Sequence, residues 1–123
     1  MTDPTKCPCP DAHCTGKTGS LSPAMQSLVE ALNTSGDEIT SGLRCPAHNA
    51  AVGGEPNSKH LTGEALDVLP APGDPIVELV VYLLNHGTFR IITYGPADRH
   101  VHVQVDSDSR IYVKRGTDYI RAA

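Results

Sequence analysis

The chain has 123 residues, enough for one domain that buries a core without staples. Its net charge is −4 and no run of Lys or Arg exceeds two adjacent residues, which argues against nucleic acid or an anionic membrane surface as the main partner. With no Trp, one Phe and four Tyr the core must be aliphatic, and no apolar stretch reaches the ~18 residues of a membrane-spanning helix.

Residues 1–20, opening "MTDPTKCPCPDAHC", read as a Cys/Pro-rich N-terminal arm, and 21–123 as a single domain. The arm lacks the apolar h-region of a secretory signal, so synthesis and folding in the cytoplasm are expected, with any export by another route. Cys7, Cys9 and Cys14 crowd into the arm, and Cys45 follows later. The C-x-C-x4-C spacing is closer to a metal knuckle than to a disulfide ladder, yet it matches no standard zinc finger. A second structural metal, a disulfide and free thiols all stay open for these four.

"SPAMQSLVEALNTSG" predicts a helix, with Ser22 as N-cap and Pro23 at the first helical position, where its missing N–H costs nothing. Met25, Leu28, Val29 and Leu32 form its apolar stripe, and Gly36 supplies the stop. "EITSGLR" (38–44) predicts a short strand. "CPAHNAAVGGEPNS" (45–58) is a polar loop, and a loop this long in a compact domain is often functional. "ALDVL" (65–69) predicts a strand, broken by Pro70, Pro72 and Gly73. "DPIVELVVYLLNHG" predicts a second helix capped by Asp74, with Pro75 at the first position and Gly87 ending it. It is apolar nearly all round and is expected to be well buried. "FRIITY" (89–94), "HVHVQV" (100–105) and "RIYVK" (110–114) predict three strands. The sum is an α+β fold, an antiparallel sheet with helices packed on one face.

Two features could carry chemistry. In "HVHVQV" the valines alternate with His100, His102 and Gln104, which share one face. That face could simply be solvated, or it could set two imidazoles side by side, and imidazole is the commonest protein metal ligand. Asp67 sits within the apolar run 65–69, where an unpaired carboxylate would be prohibitively costly. It needs an arginine such as Arg44, several N–H donors, or a metal cation. Together, His60, Asp67 and His102 give two imidazoles and one carboxylate, the open three-ligand set of catalytic zinc. Small residues between the first two, Gly63 and Ala65, let the chain turn tightly beside such a site.

"SKHLTGEALDV" (58–68) fits S-x-H-x-x-G-x-A-x-D. With "TSGLRCPAHNAAVGGEPN" before it and "HVHV" after it, the chain resembles the zinc D-Ala-D-Ala carboxypeptidase family over roughly residues 21–105. That family takes in bacterial carboxypeptidases, VanX-type dipeptidases and phage endolysins, and its wider fold group includes the hedgehog signalling domain. The likeness is greatest to small single-domain members, often phage-encoded. The resemblance implies His60, Asp67 and His102 as ligands of Zn2+. It implies Arg44 as the arginine that holds a substrate carboxylate. Asn49 and Ser58 match structural or substrate-binding positions near the metal, Ser58 as a hydroxyl that orders the ligand loop rather than as a nucleophile. Many members carry an acid or a His three residues before the last zinc ligand, where this chain has Arg99. Asp98 and His100 are then the catalytic candidates, with Asp98 as base and His100 polarising the carbonyl. The reversed roles are the alternative.

The implied function is a zinc-dependent peptidase that cuts short peptides of bacterial peptidoglycan through a metal-activated water. It would be a D-Ala-D-Ala carboxypeptidase or an endolysin-type endopeptidase. It is expected to be a monomer that meets the cell wall after release, with no nucleic acid or membrane as partner. The alternative is a catalytically inactive zinc-containing module that binds the wall or serves in a virion.

Overall fold

The computed structural model describes residues 21–44, 49–50, 53, 58–94, 98–115 and 118–121. The arm at 1–20, its three cysteines, Cys45 and most of the 45–58 loop lie outside the described residues. Within that loop, Asn49 and Ala50 are helical where a plain loop was expected.

Helix α1 spans Pro23–Ser35. The Ser22 hydroxyl accepts from the Met25 N–H at 3.3 Å, and Gly36 ends the helix in the left-handed region at φ 85°. Strand β1, Glu38–Ser41, is shorter than the predicted 38–44. Past Ser41 the chain leaves the sheet, and the Arg44 N–H donates to the His60 carbonyl at 3.0 Å instead of to a neighbouring strand. Strand β2, Ala65–Leu69, has the predicted bounds.

Helix α2 spans Ile76–Leu84. Asp74 does not cap it; Pro75 is the N-cap, and no side chain closes that end. Nor is the helix buried all round. Leu79, Val80 and Leu83 face the core, while Val77 and Val81 are 64% and 51% exposed. One layer of sheet covers one stripe of the helix, and the remaining valines meet solvent. No helix among the described residues is long and apolar enough to cross a membrane.

Strands β3 (Phe89–Thr93), β4 (Val101–Val105), β5 (Arg110–Arg115) and β6 (Asp118–Arg121) complete a six-stranded sheet of order β1-β2-β4-β3-β5-β6. The fold is α+β, as expected, but the sheet is mixed. Four pairings are antiparallel, and β3 with β5 is parallel. Residues 106–109 step over the start of β3, so β5 lands on its far side. Asp106 organises this step. Its N–H donates to the Thr88 carbonyl, and its carboxylate lies 3.4 Å from Arg90 Nε and 3.7 Å from Arg110 Nε. Strand β6 was not predicted.

The two sheet faces have opposite fates. Leu66, Val68, Ile91, Val101 and Val103 meet both helices in a single core. The alternating residues, Asp67 on β2 with His102 and Gln104 on β4, point to the helix-free face. Phe89 closes the core and leaves no room beside Gly87, where a Cβ would lie 2.7 Å from the Phe89 ring. Phe89 is 1% exposed, so that ring has little space to yield. Gly87→Ala is expected to destabilise the fold by about 1–3 kcal/mol. Urea unfolding checks this, and an unchanged midpoint would mean that the ring moves freely.

Candidate metal centre

The centre starts from a short 3-10 turn, Lys59–Thr62, leading into β2. The Ser58 hydroxyl accepts from the His60 N–H at 3.2 Å, and Gly63 closes the turn in the left-handed region at φ 74°. The Gly63 carbonyl accepts from the Ser22 N–H, which ties the turn to the start of α1. His60 is thereby carried into the protein, 2% exposed.

Its two ring nitrogens have distinct surroundings. Nδ1 lies 2.7 Å from the Gly42 carbonyl oxygen. A carbonyl only accepts, so Nδ1 carries a hydrogen and Nε2 is the nitrogen turned towards the site. That Nε2 is buried and has no hydrogen-bond partner among the described residues. It faces Asp67 Oδ2 at 3.3 Å, outside hydrogen-bond geometry. A neutral ring sets its Nε2 lone pair against the carboxylate, which only a cation between them makes favourable; without a metal, a proton on Nε2 fills that place. This is the strongest local argument that the pocket is built for a metal.

Asp67 and His102 are direct register partners across β2 and β4. His102 Nδ1 lies 3.0 Å from Asp67 Oδ1, and its Nε2 lies 2.9 Å from Gln104 Oε1. The His60 and His102 rings meet edge to face, with centroids 5.2 Å apart. One ligand atom from each of His60, Asp67 and His102 lies within 4.8 Å of the others. Two imidazoles and a carboxylate suit zinc and leave a position for water. Burial pushes the Asp67 carboxyl up, but His102 and His60 outweigh it and hold the group well below the usual carboxylate range.

Arg44 also meets Asp67, with Nη2 3.0 Å from Oδ2. Its Nε donates to the Ser41 hydroxyl at 3.2 Å, and its Nη1 to Asn49 Oδ1 at 3.3 Å. The salt bridge and the imidazole cluster, two ways to satisfy a carboxylate in β2, are therefore both present. Asn49, 3% exposed, sits behind the arginine and steadies it.

Asp98 and His100 lie on the flank. His100 precedes β4 rather than belonging to it, and both side chains are substantially exposed. Asp98 Oδ1 accepts from the His100 backbone N–H and from His100 Nδ1, each at 2.9 Å. The backbone contact first, and the ring second, hold the Asp98 carboxyl below its usual value. The pair shares a shallow depression with Ser41, Asp67 and Tyr94. Arg99 turns away, its guanidinium on the Asp74 carbonyl, so that position brings no acid to the centre.

Sequence reasoning missed Tyr94 and assigned no role to Gln104. Tyr94 lines both this depression and the main cleft, which has a volume of about 620 Å³. Burial first, and the Asp67 charge second, push its phenol up, so at neutral pH it is an O–H donor beside the centre. Its signal was faint: one aromatic at the end of an apolar strand. A family model described as peptidase M15 matches residues 11–104, and no curated protein matches the chain.

Proposed function

The chain belongs to the peptidase M15 family, and on that premise we propose that it is a zinc peptidase hydrolysing short peptides of the bacterial cell wall. The observation that carries this reading is the buried Nε2 of His60, without a hydrogen-bond partner among the described residues and facing the Asp67 carboxylate. His60, Asp67 and His102 would hold the ion. Bound there, zinc supplies Lewis acidity and acidifies water towards neutral pH.

The other roles fall to the chain's own groups. Gly42 fixes the His60 ring through Nδ1, so the ligand nitrogen is set before any metal arrives. Three of the five Arg44 N–H groups are engaged by described residues. The planar fork remains suited to a substrate carboxylate beside the scissile bond. A C-terminal carboxylate held there favours carboxypeptidase action over internal cleavage.

Asp98 and His100 are the proton-handling pair. The Asp98 carboxylate can only accept, so His100 Nδ1 carries a hydrogen and Nε2 is the nitrogen left to exchange a proton with the reacting groups. His100 is then the group that takes a proton and passes it to the leaving amine, while Asp98 positions its ring. This favours the reverse of the roles expected from sequence. His100→Ala is expected to lower kcat by about 10²-fold or more with zinc content unchanged, and Asp98→Asn by less. A larger loss in Asp98→Asn would return the base to Asp98.

The proposal is tested by incubating the zinc-loaded protein with muropeptides and following products by mass spectrometry. Released D-Ala supports the carboxypeptidase, and larger fragments support an endopeptidase. No product from any muropeptide, with zinc in place, would leave a wall-binding module without catalysis.

A further inference from the structure

We propose that the outer half of the cleft is an anionic subsite, in which Lys114 and Arg90, set against Tyr119 and Tyr112, take a second carboxylate of the peptide. The proposal rests on the peptidase reading above and names a feature of its substrate.

Three of the four subsite residues, Tyr112, Lys114 and Tyr119, stand on strands beyond the family match, and Arg90 on β3 lies within it. That match ends at residue 104, whereas β5 and β6 span 110–121. They widen the helix-free face by two strands on the side of β3 away from the metal centre. The parallel register sets Tyr112 beside Ile92, and alternation then puts Tyr112 and Lys114 on the same face as His102. Tyr119 arrives opposite Lys114 across the β5–β6 pairing.

Both cations are held over rings. Lys114 Nζ lies 5.4 Å from the centre of the Tyr119 ring, and Arg90 Cζ lies 5.5 Å from that of Tyr112. Arg90 Nε also lies 3.4 Å from the Asp106 carboxylate, which does not line the cleft. Among the described lining side chains, Arg44, Lys59, Arg90 and Lys114 stand with one carboxylate, Asp67; Lys59 and Arg90 also have Glu64 and Asp106 behind them, at 3.9 and 3.4 Å, which leaves Lys114 as the cation paired with a ring alone. The whole chain has a net charge of −4, so this excess of cations over carboxylates along the described lining runs against the chain's average. Such a cleft draws in and retains anionic ligands.

The geometry also sets a reach. Arg44 sits against Asp67 on β2, and from β2 to β5 is three strand spacings, roughly 14 Å at about 4.8 Å each. An extended peptide covers that in about four residues, or in about three once the length of an acidic side chain is added. A carboxylate some three residues from the group held by Arg44 would therefore meet Lys114.

The test titrates the zinc-loaded protein with acetyl-Glu-Ala-D-Ala-D-Ala and with acetyl-Gln-Ala-D-Ala-D-Ala, reading binding by NMR chemical shifts before turnover accumulates. The Glu peptide is expected to bind about tenfold more tightly at low salt, the preference shrinking as salt rises. Lys114→Gln is expected to abolish most of that preference and Lys114→Arg to retain it, both with unchanged thermal midpoints. Equal binding of the two peptides, no binding of either, or a preference that survives Lys114→Gln would overturn the subsite. Preferential binding without product from these peptides or from any muropeptide would overturn the peptidase reading and leave the subsite standing. Equal kcat/KM on the two peptides would do the opposite.

Discussion

His60→Ala is expected to lose bound zinc and hydrolytic activity together. The ring is 2% exposed, and its orientation is set by the Gly42 carbonyl rather than by solvent. Losing an outer partner of a metal ligand already costs about 10–100-fold in affinity or activity, and losing the ligand itself should exceed that. Elemental analysis of purified protein reads the first effect, and muropeptide turnover the second. Because the substitution also opens a cavity, His60→Gln is the companion variant, closer in volume and lacking the imidazole nitrogen. One zinc in the wild-type protein and none in either variant fits the centre described above. Two zincs with one retained would add a site at Cys7, Cys9, Cys14 and Cys45. Full zinc retention in both variants with a single ion in the wild type would place that ion elsewhere.

Features governed by local chemistry were legible in the sequence. Helix α1 begins and ends at Ser22, Pro23 and Gly36, where capping and backbone rules act within a few residues. Strand β2 ends before Pro70 for the same reason. The three metal-binding candidates were legible through motif and chemistry, and the register that sets Asp67 opposite His102 brings them together. What was not legible depends on distant partners. Nothing in "RIYVK" says that it will lie parallel to β3, because that is decided by the step over β3 that Asp106 organises. Without that register Tyr112, Lys114 and Tyr119 cannot be placed in the cleft. The apolar sequence of α2 likewise does not say how many layers will cover it, and Val77 and Val81 prove to face solvent. The expected face shared by His100 and His102 fared differently. His100 stands outside the strand, and its bond to Asp98 suggests its role better than strand alternation does.

Asp67→Ala is expected to weaken the metal-free fold as well as the metal site. In the protein without zinc, this one carboxylate faces Arg44, His60 and His102 within 3.3 Å. Among the described residues, its removal leaves the Arg44 guanidinium, 13% exposed, with the neutral oxygens of Ser41 and Asn49. Breaking a buried pair from one side costs about 3–5 kcal/mol, and the lower end applies here because those two contacts survive. The pH dependence follows from the direction of the carboxyl shift. His102 and His60 hold the folded-state value below the unfolded one, which is about 3.9. The contribution is therefore fully present above the unfolded value and is lost as pH falls through the folded one. Urea unfolding of metal-free wild type and variant should show a wide gap at pH 7 that narrows by pH 3. A gap of equal size at both would assign the loss to packing rather than to charge. Zinc separates the two proteins further, because a ligand bound only by the folded state stabilises it by mass action. Added zinc should raise the midpoint of the wild type and leave that of Asp67→Ala where it was.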